Sequence, residues 1–273
     1  MASNATETEI RELARYLGNA SGIELDESKG YLFEARLSRV ADEQGCQTLT
    51  ALLDKARRDT TGQVRGILVD AISTNETSFF REPQQFHLLA QKLVPDHFDR
   101  ASTTRCRIWC AAASTGQESY SIAITLKELF GSFERHQIQI LGTDISAAAL
   151  ERASRAIYSP LEVSRGLSPE RLRRHFEPRD KGWVISEELR ATATFQRLNL
   201  LEPAPTLGTF DIIFCRNVAI YFSATNRINL FANLAKHLRR GGALVVSMTE
   251  TLGSRPGPFV RREFRGVTYY ELT

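Results

Sequence analysis

Apolar positions recur at helical spacing through the first part of the chain and at strand spacing after residue 104. Ile10, Leu13, Ala14 and Leu17 mark one face of a helix that stops near Gly18, and Asn19–Gly22 reads as a break. Leu32, Ala35, Leu37 and Val40 mark a second helix that ends at Gly45, and Thr48–Arg58 and Gln63–Ile72 are two further amphipathic segments. No strand-like alternation interrupts them. Residues 1–73 are therefore expected to form an all-helical domain, with 74–104 as a linker and cleft segment.

From Arg105 the pattern changes to strands alternating with helices. Arg107–Ala112, Ile138–Gly142, Phe210–Cys215 and Ala243–Met248 read as strands; Gly116–Phe130, Ala147–Ala156 and Asn226–Leu238 read as helices. The last strand follows an Arg-Gly-Gly turn signal. Such alternation predicts a doubly wound, mostly parallel, Rossmann-like α/β sheet over 105–273. Two β segments at the end, FVRREF and VTYYEL, join near Gly266 as antiparallel strands. Between 165 and 197 the alternation breaks: a short helix (SPERLRRHF), then Trp183-Val184-Ile185 and Ala193–Phe195, with Lys181-Gly182 as a turn. This stretch is expected as a small antiparallel β insertion.

Composition narrows the class of protein. Of 273 residues, 42% are hydrophobic and 25% charged, which excludes a disordered or fibrous chain. The net charge of +3 is too small to demand nucleic acid. Residues 1–75 carry 9 basic and 12 acidic side chains, a net −3, which argues further against it. The longest apolar runs fall far short of the roughly 20 residues of a membrane span, and the acidic start is unlike a signal peptide. Cys106 and Cys110, on one strand, are about 13 Å apart and beyond disulfide reach. With Cys46 and Cys215 they are expected as free thiols of a cytoplasmic protein. The five histidines are dispersed and none is assigned to catalysis or metal.

The segment RIWCAAASTGQESYSIAI (residues 107–124) is a strand, a loop of small residues and a helix start, an arrangement that lets backbone N–H groups approach a ligand. It carries one glycine, Gly116, and is no GxGxxG fingerprint. Glu118 in the first turn would repel a phosphate and suits a ligand with an ammonium group; alternatively it complements the helix dipole. Asp144 ends the second strand (LGTD), where such folds hold ribose hydroxyls. It could also be a helix cap, although Ser146 fits that role better. The two acids together describe an adenosine bearing an amino acid, which fits S-adenosylmethionine better than NAD or ATP.

Thr74–Arg81 (TNETSFFR), followed by Glu82-Pro83 and Phe86, closely resembles the bacterial chemotaxis receptor methyltransferases (CheR). Ala113–Glu118 (ASTGQE), Gly142–Ile145 (GTDI), Asn199-Leu200-Leu201, Phe214–Phe222 (FCRNVAIYF), Gly241–Met248 and the terminal Tyr-Tyr strand follow in that family's order. The resemblance covers residue 8 to the end. Two departures stand out. Where the family has S-T-G-E-E-P-Y-S, this chain reads Ser114-Thr115-Gly116-Gln117-Glu118-Ser119-Tyr120-Ser121, keeping the second acid. The β insertion also looks shorter than in members that tether a receptor's C-terminal peptide, which puts such tethering in doubt.

The resemblance implies transfer of the S-adenosylmethionine methyl group to glutamate side chains on the cytoplasmic signalling helices of methyl-accepting chemotaxis receptors. The products would be glutamate methyl esters and S-adenosylhomocysteine, made by a monomer without metal, nucleic acid or direct membrane insertion. It places Asn75, Thr77 and Arg81 on the cofactor and acceptor side. Glu118 would face the methionyl amine and Asp144 the ribose; Asn199 and Leu200 would flank the adenine. Asn217 and Val218 would close the methionyl side, with Tyr221 near the transferred methyl. Arg81 and Tyr221 are the expected catalytic residues, Arg81 orienting the acceptor. Without the resemblance, Arg81 reads as a helix-linking ion pair, Cys215 and Arg216 as plain strand and loop residues, and Phe79, Phe80, Phe86 and Phe222 as core or cleft walls. Arg36 and Arg39 could meet an acidic receptor surface or form a solvated helix face. Two other readings are a nucleic-acid methyltransferase on the same fold and a non-catalytic S-adenosylmethionine-binding adaptor. Against the first, Cys215–Val218 stands where base-amine methylating enzymes carry an Asn/Asp-Pro-Pro-Tyr type motif.

Overall fold

The computed structural model describes residues 6–24, 30–101, 103–254 and 256–273; the side chains of 30–33, Leu32 among them, and of Ala101 lie outside those described. Four helices come first: α1 (Glu7–Ser21), α2 (Gly30–Glu43), α3 (Leu49–Arg58) and α4 (Gln63–Ile72). Helix α1 begins at a Thr6–Glu9 capping box and runs through Gly18 to Ser21, not stopping at Gly18 as expected. The terminator is Gly22, in the left-handed region at φ 77°, where its N–H caps the Gly18 carbonyl. An added Cβ there would lie 2.1 Å from Leu201 Cδ1, so a side chain would both strain this positive φ and displace Leu201 at the seam with the second domain. Leu13, Leu17, Leu37, Val40, Leu52, Leu53 and Leu68 make the helical core, against which Ile145 of the α/β domain packs. Arg36 donates to the Ile72 carbonyl at 3.3 Å and Arg39 pairs with Glu43 at 2.9 Å.

Residues 74–82 run along the cleft. The rest of the expected linker is helical: α5 (Pro83–Leu88), a π-helical turn (Leu89–Leu93) and α6 (Val94–Ala101). Phe86, Leu88, Leu89, Leu93 and Val94 are buried against the sheet, so this stretch belongs to the α/β core. The remaining elements are β1 (Arg105–Ala111), α7 (Gln117–Phe130), β2 (Gln137–Asp144), α8 (Ala147–Arg155), β3 (Ile157–Tyr158), α9 (Pro160–Ser164), α10 (Pro169–His175), β4 (Phe176–Arg179), β5 (Gly182–Ile185), α11 (Glu187–Arg190), β6 (Ala193–Arg197), β7 (Phe210–Cys215), α12 (Ala224–His237), β8 (Leu238–Val245), β9 (Phe259–Phe264) and β10 (Val267–Leu272). The main sheet has the order β6-β2-β1-β7-β8-β10-β9. Its first five strands pair in parallel, and β10 runs antiparallel to both neighbours.

Strands buried on both faces read as continuous apolar runs. Ile108, Cys110, Ile212 and Phe214 face one core with Ile122 and Leu126 of α7, while Trp109, Ala111, Ile213 and Cys215 face the other with Leu230 and Leu234 of α12.

Two further expectations need correction. Ala193–Phe195 is not in the insertion: β6 pairs in parallel with β2, Ile140 opposite Ala193 and Asp144 opposite Arg197. As an outermost strand with mostly exposed or half-buried residues, β6 lacks the apolar run of its neighbours, so its pattern does not show which sheet it joins. The small antiparallel sheet, β3-β5-β4, instead lies within 157–185. The Arg-Gly-Gly signal is not a turn before a strand but a register irregularity inside β8, which already starts at Leu238. Gly241 sits at φ 75°, and a Cβ on Gly242 would come within 2.9 Å of the Asp211 carbonyl oxygen. The four cysteines are free thiols. Among the described residues no helix is long and apolar enough to cross a membrane.

Gly142 tests the packing of β2 against the sheet edge. A Cβ there would lie 2.6 Å from two Phe195 ring carbons and 3.0 Å from Ala113 Cβ. Gly142→Ala is expected to destabilise the protein by about 1–3 kcal/mol, seen as a melting temperature lowered by several degrees. An unchanged melting temperature would contradict this packing.

Candidate active site

Strand order reverses between β1 and β7: the chain leaves β1 for β2 and β6, then returns to β7 on the other side of β1. Ligands of open α/β sheets bind outside the carboxyl ends of strands at such a switch point. There the loops after β1, β2 and β7, the 74–81 segment and the end of α1 enclose a cleft of about 1010 Å³. Asn75, Thr77, Arg81, Glu118, Asp144, Asn199, Leu200, Asn217, Val218 and Tyr221 all line it. Residues far apart in the chain are brought together there, Asn199 Nδ2 donating to the Ala20 carbonyl, 179 positions away, at 3.3 Å.

The loop after β1 is tightly shaped. Ala112 and Ser114 hold positive φ (70° and 51°), followed by Gly116 at 94°. A Cβ on Gly116 would meet Ala153 Cβ at 2.9 Å and the Tyr158 hydroxyl at 3.0 Å, so a glycine is required where α7 begins. Ser114 Oγ donates to the Asn75 carbonyl at 3.0 Å and ties this loop to the 74–81 segment. Asp144 accepts N–H bonds from Ser114 (2.8 Å) and Ser146 (2.9 Å). Burial raises its pKa above the ordinary carboxylate value, against the lowering effect of those N–H groups. Ser146, not Asp144, caps α8, its Oγ accepting from Ala149 N.

Arg81 has an exposed guanidinium that donates only to the Glu76 carbonyl, at 3.3 Å. It makes no ion pair among the described residues, so it is not the helix-linking pair its sequence position allows. The buried cation is Arg216, which sequence reading passed over. Its Nη1 donates to Glu118 at 2.7 Å; its Nη2 donates to Glu82 at 3.1 Å and to the Arg81 carbonyl at 2.5 Å. Glu82 also accepts from Ser247 Oγ (2.7 Å) and Met248 N (3.0 Å). Burial opposes its charge, but these donors outweigh it and hold Glu82 below the usual glutamate range. Glu118 has fewer donors; burial raises its pKa although Arg216 pulls the other way.

Glu250 was also missed. Its carboxylate accepts from the backbone N–H groups of Asn217 (2.8 Å), Val218 (3.1 Å) and Ser247 (3.2 Å), holding Asn217 at φ 56°. The Asn217 amide donates to Ser247 Oγ at 3.0 Å. The only available signal was position: Arg216 and Glu82 sit inside or beside the two recognisable motifs, whereas nothing local marks Glu250. The Asn199 carboxamide is also occupied, donating to Ala20 and Glu202 and accepting from Leu201 N. Phe79, Phe80 and Phe86 are buried in the core, and Phe222 lines the cleft as a wall.

Outside the cleft the fold brings His97 to Cys106 and Asp211, their ligand atoms within 4.8 Å of one another. Asp211 is already bonded to Arg239 at 2.6 Å and Arg107 N at 2.8 Å, and burial raises the Cys106 thiol, keeping it protonated.

A parallel sheet with a cleft at its switch point, an acid ending the second strand and an acid in the helix turn after the first define a nucleoside-binding α/β protein of the methyltransferase class. Residues 75–266 match the CheR methyltransferase SAM-binding domain, and residues 8–73 match the CheR methyltransferase all-alpha domain. The chain belongs to the CheR methyltransferase family and is an S-adenosylmethionine-dependent methyltransferase. It is 37% identical to chemotaxis protein methyltransferase Cher2 of Pseudomonas putida, over 88% of this chain and 89% of that protein. It is 36% identical to chemotaxis protein methyltransferase 1 of Pseudomonas aeruginosa over the same shares. With the chemotaxis protein methyltransferase of Borreliella burgdorferi it shares 33% identity, over 91% of this chain and 90% of the other. The donor set fits the cofactor: Glu118 offers negative charge for an ammonium, and Asp144 offers carboxylate oxygens for hydroxyls beside a glycine-dependent turn.

Glu250→Gln leaves one carboxamide oxygen to face three N–H groups. It is expected to reduce unfolding free energy by about 1–3 kcal/mol and to weaken S-adenosylmethionine binding, read by denaturant titration and calorimetry. Unchanged cofactor affinity would show that Asn217 and Val218 do not depend on Glu250.

Proposed function

We propose that the protein transfers the methyl group of S-adenosylmethionine to glutamate side-chain carboxylates on the cytoplasmic helices of methyl-accepting chemotaxis receptors, giving methyl esters in receptor adaptation. The observation that carries this reading is the ionic character of the cleft: among the described residues no histidine, lysine or cysteine lines it, and its one guanidinium without a carboxylate partner is Arg81. An amine or alcohol acceptor has to lose a proton to a base. A glutamate, with a pKa of about 4.3, is already ionised at pH 7. The cofactor supplies a methyl group activated by its sulfonium. The work left to the protein is alignment and exclusion of water.

In this reading Glu118 holds the methionyl amine and Asp144 the ribose, while Asn199 and Leu200 flank the adenine. Asn217 and Val218 close the methionyl side, Asn75 and Thr77 line the acceptor side, and Tyr221 stands by the methyl. Arg81 orients the acceptor carboxylate through a planar fork that Lys lacks. It orients rather than neutralises, since a clamp that stabilised the nucleophile's ground state would slow transfer. The protein acts as a cytoplasmic monomer, without nucleic acid.

Purified protein, methyl-labelled S-adenosylmethionine and receptor-bearing membranes from the same cell are expected to give label that mild alkali removes. Alkali-stable label would overturn the carboxylate acceptor. Arg81→Ala is expected to lower transfer by about 100-fold, the scale of a misplaced reactant; a variant that kept its full effect on receptor signalling would favour the adaptor. The small sheet has strands of two, four and four residues. In line with so short an insertion, receptors lacking their C-terminal tail are expected to be labelled as fully as intact ones, and a collapse of labelling would reverse that assignment.

A further inference from the structure

We propose that Arg165 is a second cation of the acceptor path, holding a carboxylate of the receptor segment other than the one being methylated. The inference rests on the methyl-transfer reading above and adds a specificity-determining residue to it.

A groove of about 610 Å³ opens beside the cleft. It shares Glu76, Thr77, Ser78 and Arg81 with the cleft, and its far wall is Arg165 and Gly166. Glu118, Asp144 and Asn199 line the cleft but not the groove, so the groove is an approach from the Arg81 side. Arg165 is fixed there by its neighbour. Gly166 has φ 94°, and a Cβ on it would fall 1.8 Å from the Phe79 carbonyl oxygen, so this loop lies directly on the backbone of the 74–81 segment. The Arg165 N–H closes α9 on the Glu162 carbonyl at 3.3 Å.

The Arg165 side chain is exposed and makes no ion pair or hydrogen bond among the described residues. Arg152, Arg171 and Arg174 nearby each have a carboxylate: Glu162 at 2.8 Å, Glu128 at 2.7 Å and Glu170 at 3.4 Å. The groove therefore holds two cations, Arg81 and Arg165, against one acid, Glu76. One acceptor carboxylate at Arg81 leaves Arg165 unmatched. That acceptor also loses its charge when it becomes an ester, and with it its hold on Arg81. A non-reacting carboxylate on Arg165 keeps its charge throughout. Such a contact is equally strong before and during transfer, so it acts on KM for the receptor and not on kcat.

The test is receptor methylation kinetics with wild type, Arg165→Ala, Arg165→Lys and Arg165→Glu, with cofactor affinity and melting temperature measured on each. Arg165→Ala is expected to raise receptor KM about fivefold, the upper range for an exposed charge pair, with kcat and cofactor affinity within twofold. Lys should recover part of the loss and Glu should worsen it. Replacing receptor acids near the acceptor by Gln, one at a time, should find one that raises KM for wild type and adds nothing for Arg165→Ala. Unchanged KM in all three variants overturns the inference while leaving the methyl-ester reading intact, as does a loss confined to kcat or cofactor affinity. Absence of alkali-labile label with wild type removes that reading and this inference with it.

Discussion

The architecture of the cleft depends on one buried cation. The Arg216 side chain is 2% exposed and ties its own loop after β7 to two segments distant in sequence: Glu118 at the start of α7, and Arg81-Glu82 before α5, through the Glu82 carboxylate and the Arg81 carbonyl. Its Nε–H has no hydrogen-bond partner among the described residues, and its guanidinium carbon lies 5.7 Å from the centre of the Phe86 ring. Removing one member of a buried ion pair leaves an uncompensated charge, which costs more than the pair contributes to stability. Arg216 is thus less a source of stability than a constraint: the three segments hold their charges only in this arrangement. It also leaves Glu118, whose pKa burial raises, with Arg216 as its one charged partner among the described residues at the cleft wall.

That constraint supports local strain. Glu82, Ala112, Ser114 and Asn217 all hold positive φ without being glycine. Each such residue costs roughly 1–3 kcal/mol and persists only where its surroundings over-determine it. The surroundings here are specific: Asp144 on Ser114 N, Glu250 on Asn217 N, and Ser247 and Met248 on the Glu82 carboxylate. Carboxylates in and behind this cleft serve as scaffolding for backbone N–H groups.

The helical domain is part of the cleft wall. Ile23 bridges Phe222, Glu24 N donates to the Tyr221 carbonyl at 2.7 Å, and Asn226 donates to the Gly22 carbonyl at 3.0 Å. Tyr221 is therefore held between two domains. A disturbance of the α1 terminus would reach Tyr221 through the Glu24 N–H to Tyr221 carbonyl hydrogen bond.

The amino-acid sequence by itself determined the elements and most of the cleft. A continuous apolar run located β7 at Phe210–Cys215 and a period-3.6 pattern located α4 at Gln63–Ile72, because burial in a sheet or along a helix stripe is written into consecutive residues. Glu118 and Asp144 were legible because loops at strand ends carry their chemistry locally, and Asn75 and Tyr221 through the resemblance of their motifs to the family. What the sequence could not show depended on distant partners. Outermost strand β6 lacks an apolar run, so its parallel pairing with β2 is not marked in its own residues, and Gly241-Gly242 reads as a turn until Asp211 is seen beside it. Arg81 and Arg216 are both arginines in motifs, yet one is exposed and the other is the buried centre of the site. Glu250 has no local mark at all. Charge pairing and N–H capping between segments a hundred residues apart are properties of the assembled chain, and only the tertiary structure decided them.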